Sequence, residues 1–144
     1  MARQVFFSFH YDRDNWRVSI VRNSQVISGY DKSPFYDRAE WEQIKKKGDT
    51  AVKNWIDAQM KGSSVTVVLV GYETASRRWV KYEIEQSQAL GKGLIGIDIS
   101  KIKNQKGGTD PTGTNPLPAG TPLYLWNKEE GHKNLGKWID SAAS

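Results

Sequence analysis

The chain has 144 residues, 38% of them apolar and 26% charged, which is the composition of one globular domain with enough length to bury a core. It has no cysteine, which excludes disulfides and thiolate metal sites. The formal charge of +5 suits a polyanion or a phosphate-bearing small molecule, but the clearest basic cluster, Lys45 to Lys47, reads as the solvated side of a helix.

Four runs predict strands. "QVFFSFH" (4–10) is aromatic and β-branched, and "SVTVVLVG" (64–71) is continuously β-branched. "GLIGIDI" (93–99) follows a glycine, and "TPLYLW" (121–126) follows a proline-rich loop. Continuous apolar runs predict burial on both faces, hence a parallel sheet covered by helices. A weaker run, "SQVIS" (24–28), predicts a fifth strand. The longest apolar run, "VTVVLVG", is far shorter than a membrane span, and no charged-then-apolar leader precedes the first strand, so the expected location is cytoplasmic, without membrane contact.

Helical patterns separate the strands. Asp14 is placed to cap a helix over "NWRVSIVRN". A longer helix is expected from Glu40 to Met60, burying Trp41, Ile44, Val52, Trp55 and Ile56. Residues 77–90 form a further helix, and "HKNLGKWIDSA" buries Leu135, Trp138 and Ile139. The segment 107–122 reads as a loop or insertion from its glycine and proline content. Alternating strands and helices predict a single α/β domain over 1–144. The expected form is a flavodoxin-like three-layer fold whose five-stranded parallel sheet has order 2-1-3-4-5. Ligands then bind outside the carboxyl ends of the strands, near the loops after His10 and Gly71.

The helix over 77–90 holds an anomaly. With Trp79 set at zero, ideal geometry puts Glu83 at about 40°, within an apolar stripe that also takes in Val80, Ile84, Ser87 and Leu90. Glu85 falls on the polar side beside Lys81 and reads as solvated surface. A carboxylate in an apolar stripe needs a partner or a cavity. Either Arg77 or Arg78 neutralises it in a structural ion pair, or it serves a site, with the amino end of the helix favouring its charged form.

Other motifs carry less. "GKGLIG" (91–96) has the spacing of a dinucleotide fingerprint but ends a helix and opens a strand, the reverse of what that motif requires. His10 and His132 are the only histidines and lie far apart in sequence, so no metal site is expected. His132 reads as surface; His10 sits at the predicted crevice, as a ligand contact or as a plain loop residue. A phospho-receiver needs an acid ending the third strand, which here reads "LVGY". A flavodoxin needs a Ser/Thr-rich phosphate loop where this chain has "HYDRDN".

Two stretches and their spacing resemble a TIR (Toll/interleukin receptor) domain. A hydrophobic-Phe-x-Ser-aromatic start reads here as Val5–Phe9. A Ser-x-x-Trp-x-x-x-Glu-aliphatic helix reads as Ser76, Trp79, Glu83 and Ile84. The likeness covers about the first hundred residues and is weak in the tail. "VFFSFHY", "IVRN" and "RRWVKYEI" are most similar to the TIR-like proteins of the bacterial Thoeris anti-phage defence system. Val80 stands where many TIR domains have cysteine, and "GYDKSPFYDRAEWEQ" lacks the proline signature of receptor TIR domains, so receptor-style adaptor contacts are not implied.

The resemblance implies cleavage of NAD⁺ as a substrate, with no cofactor, and Glu83 in the catalytic position. It also implies a cyclic ADP-ribose-type product acting on a partner effector, and self-association on activation. Ser8 and Trp79 lie in the matching motifs as substrate-binding candidates. Phe6, Phe9 and Trp41 join them as rings able to stack nicotinamide or adenine, or else as core packing. His10 completes the set. Two other classes remain open at this point: a non-catalytic TIR interaction module, and a basic nucleic-acid-binding domain, for which no groove-reading motif is visible.

Overall fold

A computed structural model describes residues 5–10, 13–23 and 38–143. Four parallel strands form one sheet in the order β1-β2-β3-β4: Val5–Ser8 (β1), Val65–Val70 (β2), Gly93–Asp98 (β3) and Leu123–Leu125 (β4). Every residue of β1 and β2 is buried, as the unbroken β-branched and aromatic runs require. The expected five strands are therefore four among the described residues. Residues 24–28, expected to supply the missing one, lie outside the described part. The observed order is that of the predicted sheet without its second strand.

The helices are Asn15–Arg22 (α1), Arg38–Lys46 (α2), Asp49–Met60 (α3), Arg78–Ala89 (α4) and Gly131–Ala143 (α5). The single long helix expected over 40–60 is two, because Gly48 at φ +99° breaks the path between α2 and α3. Asp14 stands at the N-cap position of α1 as predicted, but its side chain makes no cap bond and turns elsewhere. A larger departure lies between β3 and β4. Residues 99–122 contain no helix, so this parallel crossover is made by a long loop. Gly96 on β3 leaves room for that loop: a Cβ there would sit 2.3 Å from Leu117 Cδ1. Leu117 thus does the covering that a helix would have done. Among the described residues no helix is long and apolar enough to cross a membrane.

Register decides which residues share a face. Ser8 pairs with Val68, Val68 with Gly96, Val70 with Asp98, and Asp98 with Leu125. Because side chains alternate along each strand, Ser8, Val68, Val70, Asp98 and Leu125 all stand on one face. Val80 and Ile84 of α4 pack there with Val68, Val70 and Leu117. On the opposite face Leu135, Trp138 and Ile139 of α5 join Val67, Leu69, Ile95 and Ile97 in the main core. The Trp138 ring stacks on Tyr124 of β4 with centroids 4.2 Å apart. Fully burying each of these aliphatic side chains contributes about 1.5–3 kcal/mol.

Candidate active site

Helix α4 lies across β1, β2 and β3, and its buried residues are Val80, Glu83, Ile84 and Ser87. This is the predicted stripe with two changes. Leu90 is 61% exposed, because the helix ends at Ala89 and the chain turns through Gly91 at φ +69°. Trp79 is only half-buried, at the rim. Lys81 and Glu85 are exposed, as their polar-side positions require.

Glu83 has no solvent exposure. The hydroxyl of Ser8, itself fully buried near the carboxyl end of β1, donates to Glu83 Oε1 at 2.6 Å. That length belongs to a short, well-formed O–H···O bond. One turn further on, Ser87 Oγ donates to the Glu83 backbone carbonyl at 2.7 Å and lies 2.6 Å from Thr66 Oγ1 on β2. Two polar links therefore clamp the apolar face of α4 to adjacent strands and fix the carboxylate's position. The helix dipole contributes less than expected. Glu83 lies past the first turn of a helix that opens at Arg78, and the field falls off within that turn.

The arginines ahead of the helix do not serve as its ion-pair partners. Arg78 Nη2 reaches Asp49 Oδ2 at 2.8 Å on the surface, and its guanidinium lies 4.4 Å from the Trp79 ring centroid. Arg77 is exposed and makes no ion pair among the described residues. Trp79, one turn before Glu83, meets Tyr82 edge-on with centroids 5.9 Å apart. Tyr82 is anchored by its hydroxyl to Asp57 Oδ1 at 2.7 Å; burial and this bond push its pKa up to about 12.

The remaining predicted site residues separate. Phe6 stands on the Ser8 side of β1, and Phe6 and Phe9 are both built into the main core. His10 is buried, and its backbone carbonyl accepts from Arg13 N and Asp14 N, which bends the chain into α1. The backbone of Trp41 lies in α2, and its side chain falls outside the described part. The structure thus brings Ser8 and Glu83 into contact and sets Trp79 one turn away.

Sequence reasoning missed a second polar cluster at the same edge of the sheet. Arg13 reaches Glu73 Oε2 at 2.8 Å, Asp110 Oδ2 at 2.8 Å and Asp14 Oδ1 at 3.1 Å. Arg17 reaches the same Asp110 oxygen at 2.9 Å and the Ile102 carbonyl at 2.7 Å. These bonds tie three segments together: the turn after β1, the turn after β2 and the long loop after β3. Asp14 lies inside, 1% exposed, with Oδ2 lacking a hydrogen-bond partner among the described residues. Burial pushes its pKa up against the pull of Arg13 and Arg17. Gly71 admits it, since a Cβ at that position would fall 2.3 Å from Asp14 Oδ2. The run "DRD" was the available signal, but its long-range partner Asp110 lies in a segment with no periodicity to read.

The β1 serine and the α4 glutamate fall within one matched segment of known sequence. The profile of the TIR-like domain of the Thoeris protein ThsB matches residues 6–104. The chain belongs to the Thoeris ThsB TIR-like family. The match spans Ser8, Trp79 and Glu83 and stops before β4 and α5. A Bacillus cereus (strain MSX-D12) relative, provisionally named cyclic ADP-D-ribose synthase ThsB1, is 42% identical over 119 residues. That alignment covers 81% of this chain and 62% of the relative, so this Thoeris TIR-like chain spans under two thirds of the relative's length.

Proposed function

We propose that this protein cleaves NAD⁺, releases nicotinamide and forms a cyclic ADP-ribose-type signal in anti-phage defence, with Glu83 as the catalytic carboxylate. The observation that carries the reading is a fully buried Glu83 held by Ser8 near the carboxyl end of β1. Family membership and the name of the 42% identical relative support it.

The chemistry asks little else of the protein. In NAD⁺ the nicotinamide nitrogen is cationic. When the bond to the ribose anomeric carbon breaks, the electron pair leaves with that nitrogen, which becomes neutral, so no general acid is required. Positive character builds on the ribose, and an ionised carboxylate fixed in a dry site stabilises it without reorganising. If water is kept out, a nucleophile on the adenosine portion of the same molecule captures the cation and closes a ring. Trp79 at the rim and His10 at the end of β1 are the substrate-binding residues of this reading. Ser8 orients the carboxylate, and Phe6 and Phe9 support β1 from within the core. The rings of Phe6 and Phe9 reach a substrate only if β1 shifts.

Zero exposure of Glu83 fits a closed resting state, in which the substrate enters only after α4 or the neighbouring loops move. Self-association through TIR surfaces would supply that movement, and the nucleotide product would carry the signal to an effector in the cytoplasm. The same burial gives a second reading its footing. In a non-catalytic interaction module, Glu83 would serve only to lock α4 to β1.

Following nicotinamide release from NAD⁺ with wild-type protein and with Glu83→Gln separates the two. Release by wild type and its loss in a folded Glu83→Gln variant supports the enzyme. Equal release by both removes Glu83 from its role. No release under any activating condition, infected-cell extract included, leaves the module.

A further inference from the structure

The face of the sheet that carries Ser8 continues to its other edge, where a cavity of about 490 Å³ opens beyond the carboxyl ends of β3 and β4. That volume is in the ordinary range for small-molecule sites, and the outer carboxyl edge of parallel strands is where such folds bind ligands. Its walls come from Asp98 and Leu125 on the two strands, Lys101 and Thr112 on the long loop, and Asn127 and Lys128 after β4.

The chemistry of these walls is mixed in a specific way. Lys128 is exposed and has no ion-pair partner among the described residues. Lys101 gives one N–H to the Asp110 carbonyl at 2.7 Å, which leaves an ammonium with two more donors. Asp98 is 5% exposed and fixed in orientation, because its Oδ1 accepts from both Ser100 N at 2.8 Å and Ser100 Oγ at 2.6 Å. Its second oxygen has no protein partner among the described residues. Leu125 and the methylene stems of both lysines supply an apolar wall. Two cations suit a phosphate, a fixed carboxylate oxygen suits the vicinal hydroxyls of a ribose, and an apolar wall suits a base. We propose that this cavity binds the nucleoside monophosphate unit of a nucleotide.

The proposal goes beyond the role given to Glu83 and does not depend on it. The long loop crosses the sheet edge between the two places: Asp110 is held by Arg13 and Arg17, and Gly113 packs so closely on Gly71 that a Cβ would meet the Gly71 carbonyl oxygen at 2.2 Å. Thr112 lies between those two anchors, so an occupant of the cavity would touch the strap that closes the edge.

AMP is the probe. Calorimetric titration of the whole chain with AMP should show binding of equal strength in wild type and in Glu83→Gln. The Lys101→Ala/Lys128→Ala variant, altered only at exposed side chains, should bind at least about tenfold more weakly, and so should adenosine on wild type. Amide shifts should appear at Thr112, Asn127 and Lys128. NAD⁺ contains the same AMP unit and separates two sources: lysine-dependent competition with AMP on Glu83→Gln means the cavity takes the substrate's distal half, and independent binding means a separate nucleotide. Absence of AMP binding at millimolar concentration overturns the proposal. So does binding that the two lysine substitutions leave unchanged, with shifts confined to β1 and α4.

Discussion

Glu83 and Asp14, two of the carboxyl groups buried at this end of the sheet, are held in opposite ways. Glu83 is 0% exposed on an apolar helix face, and a neutral hydroxyl, that of Ser8, donates to its carboxyl group. Asp14 is 1% exposed within reach of two guanidinium groups, yet one of its oxygens has no hydrogen-bond partner among the described residues. A hydroxyl orients a carboxylate without bringing a charge of its own, which is useful where positive character must be met on a substrate. Guanidinium groups cancel charge and fasten chain segments to one another. The first arrangement suits chemistry and the second suits architecture, so substitutions at the two places should fail differently.

The largest expected effect is on activity at the first place. Glu83→Gln keeps the shape and can still accept from Ser8, but removes the charge. Nicotinamide release should fall about 10²–10³-fold, the scale at which a preorganised electrostatic group acts. Thermal unfolding should move little. A large loss of stability with activity per folded molecule retained would make Glu83 architectural and erase the contrast. At the second place the order reverses. Arg17 is 6% exposed, so Arg17→Ala removes a buried side chain with its bonds to the Ile102 and Gly108 carbonyls and leaves the partly covered Asp110 to Arg13 alone. It should cost about 2 kcal/mol in urea unfolding, the scale of lost hydrogen bonds to a charged group. Where the protein remains folded, nicotinamide release should persist.

This contrast was half visible in the sequence. Glu83 could be found because a helix has a period, and a charge on the wrong phase of that period shows against it. The strands could be found because β-branched runs buried on both faces need no partner to be recognised. Asp14 could not be read correctly, since a cap and a buried clamp look alike until Asp110, 96 positions away, is placed beside Arg13. The missing helix between β3 and β4 was legible only as an excess of glycine and proline. That Leu117 fills the space above Gly96 depends on tertiary packing with no local pattern. Ser8 was carried by its motif alone, and its bond to Glu83 spans 75 positions.

A smaller effect tests whether the Ser8 bond orients the carboxylate or merely satisfies it. Ser8→Ala removes the 2.6 Å bond to Glu83 Oε1 in a fully buried setting. Loss of this buried hydrogen bond should cost about 1.5 kcal/mol in stability. If orientation matters, nicotinamide release falls as well, through kcat more than KM, and Ser8→Thr restores part of it. If stability falls alone, Ser8 is only a structural partner.

The smallest effect concerns Asp14 and appears as a slope against pH. Its folded-state pKa is raised, first by burial, above the ordinary value of 3.8. The folded chain therefore holds this proton more tightly than the unfolded chain does. Stability from that preference is fully present below the ordinary value and is lost as pH rises through the raised one. Asp14→Asn keeps the shape and cannot ionise, so it lacks this dependence. Subtracting the two unfolding free energies at each pH isolates the residue: wild type should lose ground against the variant as pH climbs out of the acidic range, then run parallel to it. A difference that instead grows in favour of wild type would mean that Arg13 and Arg17 outweigh burial. Asp14 would then be an ordinary ion-pair partner, and Gly71 would be making room for a charge rather than for a proton-bearing acid.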